Sequence, residues 1–160
     1  MNQLIVAIIL SILPISELRG AMIYAIGSGL IKIMPIYIIA IITTLANILI
    51  VFFVFFFLDF LHHRFMNILI YRRFFNFYIK KLQRKIDKFE KNFSVYGFLA
   101  LTIFVAIPLP ATGAWTGCLI AWILGLERKK SIFSIVLGVL IAGILVLLAG
   151  LGIINIIKLA

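Results

Sequence analysis

The chain has 160 residues, of which 65% are apolar and only 12% charged. Soluble domains of this size run nearer half apolar and a quarter charged, and could not hide this much apolar surface from water. The formal net charge of +10 comes with no nucleic-acid-binding motif and is concentrated beside apolar blocks, so it points to a membrane flank rather than a nucleic acid.

In chain order, apolar blocks cover residues 4–31, 34–60, 96–126 and 131–157. Met1-Asn2-Gln3 lacks a basic start and no A-x-A site follows, so a cleaved signal peptide is not expected. Block one is interrupted by Pro14-Ile15-Ser16-Glu17-Leu18-Arg19-Gly20, and block three by Pro108-Leu109-Pro110-Ala111-Thr112-Gly113. Proline and glycine stop helices and permit turns. The arms left on either side fall short of the roughly 20 residues that a spanning helix needs. Blocks two and four are uninterrupted and read as full spans.

Each broken block is either one kinked span or a re-entrant hairpin, and charge separates the two. With both re-entrant, twelve of the fifteen Lys and Arg residues share one face, in segments 61–95 and 128–130. Lys32 and Lys158 then lie opposite. If both blocks spanned, the two basic segments would be split across the membrane, against the positive-inside rule. The expected fold is therefore an all-α integral membrane protein in one domain, residues 1–160. It is an inverted repeat of two units, each a re-entrant helical hairpin followed by a full transmembrane helix. Repeat one covers 3–60, a cytoplasmic basic linker 61–95, and repeat two 96–158. The expected place is the cell membrane, with both termini outside and 61–95 and 127–130 cytoplasmic.

Within the linker, Phe75, Ile79, Leu82, Ile86, Phe89 and Phe93 recur at helical spacing. Lys80, Lys81, Arg84, Lys85, Lys88 and Lys91 fill the other faces. A basic amphipathic helix of this kind suits anionic lipid headgroups. A short coiled-coil seam and a gating role are the alternatives.

Glu17 and Arg19 are the strongest candidates for a site, because an ionisable group at membrane depth is costly. Arg19, Gly20 and the amides opening the second arm would suit an anion, and Glu17 could carry a proton. The competing reading is a buried Glu–Arg pair that only ties the tips together. The second tip contributes Pro108, Pro110, Thr112 and Gly113, with Trp115 beside it. Gly113, Gly117, Ala121 and Gly125 recur every four residues, as helix packing requires. Trp122 reads as an interfacial anchor, Asn47, Thr43 and Thr44 as packing groups, and Cys118 as a small core residue. His62 and His63 are adjacent and point apart, so no metal is expected. No cofactor and no enzymatic constellation is apparent. Four short segments bury little surface, which leaves room for a homodimer.

Ser16-Glu17-Leu18-Arg19-Gly20-Ala21 and the run from Pro108 to Gly117 resemble the two signatures of the small multi-drug export protein family. Met22-Ile23 stands where that family usually has a nearby proline, and Ala111 where it usually has glycine. The family is regarded as related to the DedA membrane proteins, which share paired re-entrant hairpins. The resemblance implies transport coupled to protons or to the membrane potential. It implies two substrate classes: drugs, from the family's name, and lipids such as polyprenyl phosphate, from the DedA relatives. Arg19 favours the anionic amphiphile, and a non-transporting scaffold is the remaining reading.

Overall fold

The computed structural model describes residues 2–65, 90–109 and 112–159. Among these residues the chain is wholly helical. Helix α1 is Asn2–Ile12, α2 is Glu17–Gly27, and a 3-10 turn follows at Leu30–Lys32. Helix α3 is Ile36–Phe65, α4 is Glu90–Ala106, α5 is Ala114–Ile123 and α6 is Arg128–Leu159. Each half thus runs short helix, break, short helix, long helix. The proposed amphipathic segment lies outside the described residues from 75 to 89, with all its basic positions except Lys91; its last residues fall in the first turn of α4. Pro110 and Ala111 also lie outside them.

Local chemistry sets the boundaries. Pro14 stands just past α1 and Pro108 just past α4, and each lacks the N–H that another helical turn would use. Pro35 directly precedes α3, and its carbonyl accepts from Ile38 and Ile39. Helix α5 ends in a Schellman motif, in which Leu126 N–H donates to Ala121 O and Gly125 N–H to Trp122 O. That motif needs a left-handed residue, and Gly125 supplies it at φ 63°.

Two segments are long and apolar enough to cross a bilayer, Ile36–Phe60 of 25 residues and Arg128–Ile156 of 29. At 1.5 Å per residue each exceeds the roughly 30 Å hydrocarbon core, whereas α1, α2 and α5 reach only about 16 Å. The long helices are not core helices of a soluble fold. On α3, Ile41, Leu45, Leu49, Phe52 and Phe56 form one exposed stripe. The opposite face buries Ile39, Thr43, Asn47, Val51 and Val54. A helix that turns its polar groups inward and its apolar groups outward is built for a nonaqueous surround. The chain is a membrane protein.

Helices α1 and α2 fold back on each other around the turn at 13–16. Their far ends meet where the Gln3 side-chain amide donates to Ser28 O at 3.1 Å. In the second half, Tyr96, Gly97 and Phe104 of α4 face Ile120 of α5 and Leu124 just past it across an apolar groove. Helices α4 and α6 pack closely. A Cβ on Gly138 would stand 2.7 Å from Val105 Cβ and 2.8 Å from Thr102 O, so only glycine allows this approach. Beside it, the Thr102 and Ser134 hydroxyls bond at 2.8 Å, and Ser134 donates to Phe98 O at 2.7 Å. The main core lies where Leu18, Val51, Val105, Ala114, Cys118 and Ile135 meet. It therefore joins the tip of the first break to the start of α5.

Candidate functional site

The two breaks meet in space, through a bond between residues 93 positions apart in sequence. Glu17 opens α2 with its side chain buried at 6% exposure. Its backbone φ is 46°, a region that non-glycine residues enter at a cost of about 1–2 kcal/mol. The strain turns the carboxylate toward the N-terminus of α5, where the Trp115 backbone N–H donates to it. Gly113 caps that helix at φ 153° and ψ −164°, a conformation essentially restricted to glycine. A Cβ there would collide with the Glu17 carboxylate. Gly113 is thus required twice, by its backbone angles and by the carboxylate against it. The positive end of the α5 dipole faces a carboxyl group from the other half of the chain.

Arg19 lies two residues further on the same tip. Its Nη2 donates to Thr112 O at 2.8 Å and stands 4.0 Å from Glu17 Oε2. A third link runs the other way, from Trp115 Nε1 to Ile12 O at 2.8 Å. That carbonyl is one of those left free where α1 ends.

Glu17, Arg19, Thr112, Gly113 and Trp115 therefore form one cluster. Gly20 acts differently, since a Cβ there would run into Ser16, so its role is close packing within the turn. The Thr112 hydroxyl is engaged within its own turn. It donates toward Ile107 O and Leu109 O and accepts from Leu109 N–H, which holds the second break in shape. Only its carbonyl reaches the cluster. Pro108 stands apart from the carboxylate and lines a groove together with Arg19.

That groove was not anticipated from sequence. It is an open, apolar cavity of about 510 Å³ between α2 and α6, with Arg19 at its polar end. The packing readings hold for several other residues. Asn47 Nδ2 donates to Ser11 O at 2.9 Å, tying α3 to α1, and Cys118 is fully buried. Gly117 lets Val105 approach, since a Cβ would stand 2.7 Å from Val105 Cγ2. Gly125 departs from the proposed packing stripe, because no atom lies near its would-be Cβ and it serves the turn instead. Trp122 does more than anchor an interface. Its indole donates to Asp59 Oδ1 at 3.3 Å, and Asp59 also pairs with Arg128, whose guanidinium lies over the Phe55 ring. Among the described residues no cluster of metal-ligating side chains occurs.

Fold and site together define an all-helical membrane protein in which two interrupted apolar segments converge on a buried acid and a neighbouring base. The family profile described as "putative small multi-drug export protein" matches residues 17–145, which begin at Glu17 within the first break and include the whole of the second. The chain belongs to that family. No curated protein and no solved structure matches it.

Proposed function

We propose that the protein is a secondary transporter of the small multi-drug export type that moves an amphipathic substrate with an anionic headgroup, such as a polyprenyl phosphate lipid. The observation that carries this reading is the position of Arg19, which lines an apolar groove while its guanidinium holds Thr112 O and lies near Glu17. A cationic drug would meet Arg19 first, with Glu17 buried behind it. Drug efflux is therefore the weaker alternative.

In this reading each pair of short helices is a re-entrant hairpin and the two halves are inverted repeats. Alternating access would then rock the halves about the cluster. Both termini lie outside, and 61–95 and 127–130 lie in the cytoplasm. Coupling is to protons or to the membrane potential. A proton placed on Glu17 removes the charge that faces Arg19 and the α5 amides, and so loosens the link between the tips. Lys80, Lys81, Arg84, Lys85, Lys88 and Lys91 hold the linker against anionic headgroups. The reading involves no covalent chemistry.

The test is transport in proteoliposomes, with a long-chain alkyl phosphate and a cationic dye offered separately. Glu17→Gln and Arg19→Ala are each expected to abolish phosphate transport while the protein stays folded. Full transport by both variants would overturn the site. Dye transport that needs Glu17 but not Arg19 would favour drug efflux. If neither compound moves and the cellular phenotype depends only on the basic linker, the protein is a scaffold.

A further inference from the structure

The proposed function uses the groove only as the setting of Arg19 and leaves the role of its walls open. Its walls are Ile23, Ile26 and Gly27 of α2 and Ala149, Gly150 and Ile153 of α6. Arg19 is the only charged side chain among the described residues that line it. Ile23 is 70% exposed, and Leu148 and Leu151, adjoining the α6 wall, are also exposed and apolar. The groove is therefore open on its flank to whatever solvates the lipid-facing surface. Its polarity is graded, with apolar side chains along its length and Arg19 at the end nearest the tips. The guanidinium offers five N–H donors in a planar fork, and its bond to Thr112 O occupies only part of that fork.

We propose that this groove is a lateral binding site for the apolar chain of an anionic amphiphile drawn from the bilayer, with the headgroup on Arg19 and the chain between α2 and α6. The assignment rests on the transport reading for its purpose, though not for its geometry. Two features make the walls specificity-determining. Gly150 cannot be enlarged freely, since a Cβ would stand 3.1 Å from Ile36 Cδ1 and 3.3 Å from Met22 Cγ. That contact fixes how closely α6 approaches α2 and α3. Gly27 is the opposite case, because no atom lies within 4 Å of a Cβ built there and its φ is ordinary. A side chain at 27 would enter free space in the groove without disturbing the backbone. Gly27 thus leaves the groove unfilled.

The experiment uses a long-chain alkyl phosphate with a diazirine at the end of its chain, photolysed in proteoliposomes of the full-length protein. Adduct positions are mapped by mass spectrometry. Adducts are expected on Ile23, Ile26 and Ile153. They should be lost in Gly27→Trp, and in Ala149→Trp, which fills the groove from the facing wall, and kept in Leu49→Trp on the exposed stripe of α3. An alkyl trimethylammonium of the same length and label should leave the groove unlabelled. Labelling spread equally over α3 and the groove, or equal labelling by cation and anion, would overturn the proposal. Groove labelling without transport would retain this site and sink the transporter reading. Transport that survives both tryptophans with the groove unlabelled would do the reverse.

Discussion

At the scale of single residues, most of the site's geometry rests on one fit, Glu17 against Gly113. Gly113→Ala introduces both a forbidden backbone angle and a collision with the carboxylate, and is expected to cost at least about 3 kcal/mol. Thermal unfolding in detergent should show the loss directly. Trp115→Phe keeps the ring and removes only the indole donor to Ile12 O. About 1 kcal/mol is expected there, read from the same unfolding curves. A Trp115→Phe variant as damaged as Gly113→Ala would mean that the indole does more than tie the tips. The choice of Glu17 and Arg19 was legible in the sequence, since charges inside apolar blocks are rare enough to mark themselves. Their partners were not. Nothing local to Glu17 says that its carboxylate meets an amide almost 100 positions later. Nor does the sequence around Thr112 show that its hydroxyl closes the turn of the second break.

Among the elements, the glycines separate into those that permit contact and those that do not. Gly138 is pressed against α4, so Gly138→Leu should overpack that seam and cost about 1–3 kcal/mol, if the protein folds at all. Gly152, on the same helix, has open space at its Cβ, and Gly152→Leu should leave the melting temperature unchanged. Equal effects from both would contradict the packing described. The ion pair of Asp59 and Arg128 joins the end of α3 to the start of α6, but both side chains are substantially exposed. Asp59→Asn is expected to change stability by no more than about 1 kcal/mol. Helix existence and the two breaks were readable from proline, glycine and apolar run length. Helix ends were less so, because α3 continues past the apolar boundary at residue 60 and α4 is already helical at Glu90, ahead of the apolar boundary at 96. Apolar content marks where a helix is buried in lipid, not where its hydrogen bonds stop.

For the molecule as a whole, topology is the decisive question, and cysteine accessibility addresses it. With Cys118 buried, Lys85→Cys and Lys129→Cys should label from one face of the membrane and Lys32→Cys from the other. Labelling of positions 85 and 129 from opposite faces would overturn the re-entrant arrangement. The short helices carry a further consequence on that arrangement. Helices of about 16 Å fill only half of a hydrocarbon layer of about 30 Å. If water fills the remaining depth beside the tips, the electric field of the membrane is no longer spread evenly across it. It is focused on the thin layer that holds Glu17, Arg19 and the start of α5. An anion crossing only that layer would feel nearly the full voltage, about 2.3 kcal/mol per 100 mV for each charge.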